Sequence, residues 1–193
     1  MWSLFFGFIN RDMTALNSKP TNPNFLHPNK FQLSFSRLSD MQYFCQAVSV
    51  PGISMSEVPQ TTPFVDLYKP GEKAIYDLLN VTFMIDEELK AWLGIHDWIR
   101  GMTFPTDFKE YQNIGLLSKT AGIRQSVGLP PQYSDATITI LSSANNPIYQ
   151  FKFYDVFPTT LSTFVMSASD TPDTIMTADA TFRYAYYDVD KLN

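Results

Sequence analysis

The sequence predicts a mainly β fold, a β-sandwich or small barrel with one flanking α-helix. Aromatic residues make up 15% of the chain, with 16 Phe and 10 Tyr, and rings of that bulk suit pleated, half-buried surfaces better than a helical bundle. Several segments alternate apolar and polar residues, while a single segment repeats them at helical spacing. Proline, at 13 residues, gathers between those segments, where chain reversals belong. At 193 residues the chain fits one core, since two would leave each half near the size at which folding alone becomes marginal. The expected division is an extended N-terminal arm, 1–28, and one β domain, 29–193.

Taken in order, the arm holds Pro20, Pro23 and Pro28 among Asn, Ser and Thr, a composition for extended chain. Phe31, Leu33 and Phe35 alternate with Gln32, Ser34 and Ser36, which predicts a strand with one buried face. A second strand is expected over Tyr43–Val50, after a turn at Ser39-Asp40. Pro51-Gly52 then breaks the chain, and Pro59, Pro63 and Pro70 mark Glu57–Gly71 as a long loop or a projecting hairpin with an irregular edge. Strand character resumes over Tyr76–Ile85. Asp86 is placed to cap a helix, with Glu87 and Glu88 at the positive end of its dipole. Leu89, Trp92, Leu93, His96, Ile99 and Met102 would form its apolar face, and Gly101 would stop it. Residues 103–135 read as loop with at most a short helical piece. Strands are expected at Ala136–Leu141, Tyr149–Phe157, Phe164–Ser169 and Ile175–Tyr187, with a turn over Pro158–Thr163. In the last strand Phe182, Tyr184 and Tyr186 would share a face opposite Arg183 and Tyr187.

Composition and motifs argue against several functions. The net charge is −5, whereas an electrostatic grip on DNA rests on clustered Lys and Arg. A single cysteine, Cys45, excludes an internal disulfide and a Cys-rich zinc site. It lies in an apolar run with no basic residue between Arg37 and Lys69 to activate a thiol, so a small buried hydrophobe is expected rather than a nucleophile. His27 and His96 lack ligand spacing, and His96 suits the wet flank of the helix. Asp86, Glu87 and Glu88 could supply paired carboxylates for acid/base work, but helix capping accounts for them. No nucleophile elbow, P-loop or dinucleotide fingerprint is present. The expectation is a non-enzyme without cofactor or metal. The apolar start, Met1–Ile9, has no basic flank, and no run is long enough to span a bilayer, so neither a signal peptide nor membrane residence is expected. Basic residues are absent from Gln125 to Gln150; edge Lys, one guard against unwanted strand addition, is missing there, which fits equally well ordinary core strands and a subunit that uses its edges to assemble. The rival reading of the 10 Tyr and 3 Trp is a carbohydrate-binding β-sandwich that stacks sugars on exposed rings.

Ordered motifs carry a family resemblance. Pro28-Asn29-Lys30-Phe31-Gln32-Leu33 leads into Phe44-Cys45-Gln46-Ala47 and Pro51-Gly52-Ile53; Met84-Ile85-Asp86-Glu87 precedes a helix with Trp98 in its second half. Tyr154 to Pro158-Thr159 and a closing Thr181-Phe182-Arg183-Tyr184-Ala185-Tyr186-Tyr187 complete the order. Together, over residues 28–102 and 136–189, they resemble the tail-tube proteins of contractile-tailed bacteriophages, similar in fold to the type VI secretion tube protein. The resemblance implies a hexameric ring whose sheets join into a continuous inner β-barrel. It implies rings stacked as the inner tail tube, a conduit for DNA ejection in the virion. Sheath, baseplate and neck proteins would be partners, with tape-measure protein and DNA passing through the lumen without specific binding, and synthesis would take place in the host cytoplasm. It further implies that Ile53–Tyr76 reaches an adjacent ring, with Glu57, Thr61, Thr62, Phe64, Asp66, Tyr68 and Lys69 as contact residues. The long arm and the 103–135 segment depart from a minimal tube subunit, so a baseplate tube-initiator or a neck tail-terminator ring protein is the alternative.

Overall fold

A computed structural model describes residues 24–38, 41–103, 105–106, 109, 132–167 and 175–192. Most of the predicted arm and most of the 103–135 segment therefore lie outside the described residues, as does the turn at Ser39-Asp40. The fold is mainly β. Its strands are β1 (Phe31–Phe35), β2 (Cys45–Val48), β3 (Ile53–Thr61), β4 (Asp66–Tyr76), β5 (Leu79–Met84), β6 (Ser134–Leu141), β7 (Pro147–Leu161), β8 (Thr177–Arg183) and β9 (Tyr186–Lys191). A single helical turn, α1 (Met41–Phe44), precedes β2, and α2 (Lys90–Thr103) follows β5.

Seven strands form one antiparallel sheet in the order β1-β6-β7-β8-β5-β2, with β9 also paired to β7. The geometry follows from β7, whose first part pairs with β6 on one edge and with β9 on the other, Tyr154 opposite Tyr186. Its last part pairs with β8, Phe157 opposite Arg183. β8 and β9 thus run along the same edge of β7 as one strand broken at Tyr184-Ala185. Opposite that break, Asp155 has φ 56°, a left-handed conformation that Asp tolerates better than most residues. A bulge of this kind bends a strand and increases its twist, so β7 serves two halves of a strongly curved sheet. The sheet remains open, and β1 and β2 are its end strands.

The concave side is filled from both halves. Leu33 and Phe35 of β1, Ala136 and Ile138 of β6, and Phe153 and Val156 of β7 meet Leu79, Val81 and Phe83 of β5 and Ala178, Ala180 and Phe182 of β8. Phe35 and Phe182 pack ring to ring, with centroids 4.9 Å apart. Helix α2 closes this core with Ala91, Ile95 and Trp98, all buried. The Trp98 indole N–H donates to the Gln132 carbonyl at 2.8 Å, and the Arg37 guanidinium lies 5.0 Å from the ring centroid.

Several expectations change on this framework. Tyr43 and Phe44 belong to α1, so the second strand is shorter than expected. The helix starts at Lys90 rather than Asp86, after Leu89 at φ 55°, although Asp86 Oδ2 still accepts the Lys90 amide at 3.2 Å. Its buried face centres on Ala91, Ile95 and Trp98, with Trp92, Ile99 and Met102 at the margin and Leu93 exposed. Ala91, Ile95 and Trp98 repeat at spacings of four and three, so they mark the stripe that meets the core, and Gly101 is buried inside the helix instead of ending it. Pro158 to Leu161 continue β7 because the bend, not a turn, redirects the chain. Residues 164–167 form no strand. The break at Tyr184-Ala185 resets the alternation, so Tyr187, not Tyr186, joins Tyr184 on the inner side.

Candidate contact hairpin

Strands β3 and β4 form a separate two-stranded sheet that pairs with no other strand. The register runs from Ile53 opposite Tyr76 to Thr61 opposite Asp66. At the tip the Thr62 hydroxyl donates to the Val65 carbonyl at 2.5 Å and accepts the Val65 amide at 3.2 Å, a local closure typical of hydroxyl residues in turns. Between Met55 and Glu57 the register shifts. There Gly71 lies so close to Ser56 that a Cβ would collide with its side chain and carbonyl, which explains a glycine inside a strand.

The hairpin places the seven predicted contact residues together. Because pleated residues alternate faces, Glu57 and Thr61 share one face with Tyr68 and Asp66, whereas Lys69 lies opposite Val58 on the other. Thr62 and Phe64 occupy the tip, and Phe64 is 97% exposed. The sequence reading missed the apolar side chains around them. Ile53, Met55, Val58, Val65, Leu67 and Ile75 are all more than half exposed. Their signal was present in the alternation of Ile53 and Met55 with Ser54 and Ser56, but the prolines drew attention to loop chemistry instead. These apolar side chains are distributed over both faces, Ile53 and Met55 on one and Ile75, opposite Ser54, on the other. The hairpin's charges nearly cancel, with Glu57, Asp66 and Glu72 against Lys69 and Lys73.

The hairpin is held at its root. The Asp77 amide donates to the Gly52 carbonyl at 3.1 Å. The Tyr184 hydroxyl donates to the Asp77 carbonyl at 2.9 Å and the Tyr187 hydroxyl to the Pro51 carbonyl at 3.4 Å. Burial, with Tyr187, Asp77 and Tyr76 nearby, pushes the Tyr184 phenol up to about 12, so it stays protonated and able to donate.

A second concavity lies between the end strands. It is a groove of about 690 Å³ between β1 and the α1–β2 segment, lined by Phe31, Leu33, Tyr43 and Cys45 among neutral Asn, Gln and Pro. Burial pushes the Cys45 thiol up to about 11, the opposite of an activated nucleophile. Two of the acidic triplet have local partners: Asp86 Oδ2 accepts the Lys90 amide, while its Oδ1 is buried without a hydrogen-bond partner, and Glu88 pairs with the Lys90 ammonium. His96 stacks on Trp92 and contacts Asp97. Of the rings on which a sugar could stack, Trp98 is buried and Tyr76, Tyr184 and Tyr187 pack on one another, whereas Tyr43, Tyr68, Tyr149 and Tyr186 are exposed.

The described residues thus form an open sheet and a separate hairpin that carries exposed apolar side chains. The chain belongs to the phage tail tube protein family, which it matches over residues 13–190; it is a phage tail protein of a structural, non-enzymatic family, as the ordered motifs implied. It is 29% identical over 151 residues to the tail tube terminator protein of Enterobacteria phage T4, spanning 76% of each chain. Among solved structures it is similar in fold to the tube-terminating cap of the anti-feeding prophage, with TM-score 0.58, 14% identity and coverage of 93% of this chain and 100% of the other. It is likewise similar to a chain of the sheath–tube complex of the extracellular contractile injection system PVC, with TM-score 0.55, 12% identity and coverage of 94% and 99%.

Proposed function

We propose that the chain is a ring-forming subunit that closes the end of a contractile phage's tail tube. The observation that carries ring formation is the β3–β4 hairpin, which pairs with no other strand among the described residues and carries exposed apolar side chains. A protrusion meeting a different surface on the next copy is a head-to-tail contact, and such contacts generate rings when the rotation closes. Strands β1 and β2, each paired on one side only, supply edges through which neighbouring sheets can continue. Six copies would join into a hexamer around an inner β-barrel. The place at the tube's end is favoured by the likeness to the T4 tail tube terminator.

The second reading is the subunit of the tube body itself, stacked ring on ring; the family match under the description of a phage tail tube protein favours it. In either case the partners are tube, sheath and neck or baseplate proteins, and tape-measure protein and DNA pass through a lumen that does not bind them. Residues 1–28 serve as an arm on the single domain 29–193. Negative-stain microscopy of purified protein tests these readings. Isolated rings are expected for a terminator and hollow rods for a tube-body subunit, while a monomer persisting at millimolar concentration overturns both.

A further inference from the structure

We propose that Tyr76, Tyr184 and Tyr187 form a clasp that fixes the angle at which the β3–β4 hairpin leaves the domain, so that copies meet in one geometry. The proposal rests on the reading that the hairpin is the contact between copies. Among the described residues the hairpin pairs with no other strand, an isolated two-stranded ribbon has little stability of its own, and a loosely held contact element would allow many relative orientations of neighbouring copies. Here the root is gripped on both strands. One tyrosine hydroxyl reaches the Asp77 carbonyl after β4, and the other reaches the Pro51 carbonyl before β3. Tyr76, the last residue of β4, packs its ring against both, with centroids 5.9 Å from Tyr184 and 5.5 Å from Tyr187, which are themselves 6.1 Å apart. Both rings rest in turn on the buried Phe153, at 5.0 and 5.4 Å. Because Phe153 belongs to β7, the grip refers the hairpin to the bent strand at the centre of the sheet. The break at Tyr184-Ala185 is what brings two tyrosines three positions apart to the same side. The clasp residues are positioning residues and need not touch a neighbouring copy.

The test replaces only the hydroxyls, in the double variant Tyr184→Phe/Tyr187→Phe, and reads three properties of the full chain. Near-UV and far-UV circular dichroism should report a folded domain, since the rings stay. Amide exchange over residues 53–76 should accelerate roughly tenfold as the root loosens, with core strands unchanged. Rings seen by negative stain should become fewer or irregular in diameter. Restoring either tyrosine alone should recover part of both effects. Leu67→Asp, on the hairpin surface away from the clasp, provides the control. If it blocks assembly while the double Phe variant assembles and exchanges like the parent, the clasp is overturned and the contact reading stands. If Leu67→Asp assembles normally, the contact reading fails, and the clasp as a device for assembly fails with it.

Discussion

Trp98 shows how one side chain ties the helix to the sheet. Its ring is fully buried against Phe182, and its N–H is satisfied by the Gln132 carbonyl at 2.8 Å. Trp98→Phe removes the donor, orphans a carbonyl and leaves a small void, costs that together amount to about 2 kcal/mol. Thermal unfolding should show the midpoint lowered by roughly 4–8 °C for a domain of this size. Cys45 makes a different prediction. With its thiol pushed from 9.0 up to about 11 by burial, its thiolate fraction near pH 8 is about a hundredfold below that of a free cysteine. Iodoacetamide should therefore label the native protein slowly, the rate rising about tenfold per pH unit up to about pH 11, whereas denatured protein should level off near pH 9. The sign for stability follows: between those two values the folded state holds the proton that the unfolded state has lost, so stability falls as pH rises.

At the level of elements, the bend in β7 depends on a backbone conformation more than on a contact. Asp155 at φ 56° occupies a region open to Gly and tolerable for Asp, but strained for β-branched residues. Asp155→Gly should leave the urea midpoint nearly unchanged, and Asp155→Val should lower stability by about 1–3 kcal/mol. This bend also explains what could and could not be read from sequence. Strands β1, β5 and β6 were legible because Phe31, Leu33 and Phe35, or Leu79, Val81 and Phe83, alternate cleanly under a buried face. Pro158-Thr159 reads as a turn because proline interrupts regular pairing, yet here it sits at a bulge, the register against β8 shifting between Pro158 and Thr160, where a missing amide does little harm. The break between β8 and β9 has no local mark at all, since it answers Asp155 some thirty residues earlier. The hairpin was legible as a projection through its prolines. Its apolar character was harder to see, because an exposed Val58 or Leu67 looks the same in sequence as a buried one.

For the molecule as a whole, net charge and hairpin surface pull assembly in opposite directions. Every copy contributes −5, so neighbours would repel, while the hairpin proposed as the contact is apolar and nearly neutral. Raising salt shortens the Debye length from about 14 Å near 0.05 M to a few Å near 0.5–1 M and strengthens apolar association when the anion is sulfate. Sedimentation should therefore show assembly promoted by salt, and promoted further by ammonium sulfate. An assembly held by ion pairs would weaken instead. The same charge predicts that duplex DNA is not retarded by the protein in a gel at physiological salt.

The short span between Gly52 and Asp77 has an engineering consequence. Their backbones are joined by a 3.1 Å hydrogen bond, so the strands on either side already stand a single turn apart. Excising 53–76 and splicing in Asn-Gly should yield a truncated chain that retains the parent's core circular dichroism and no longer forms closed rings under negative stain. Such a chain would separate the information needed to fold from the information needed to polymerise.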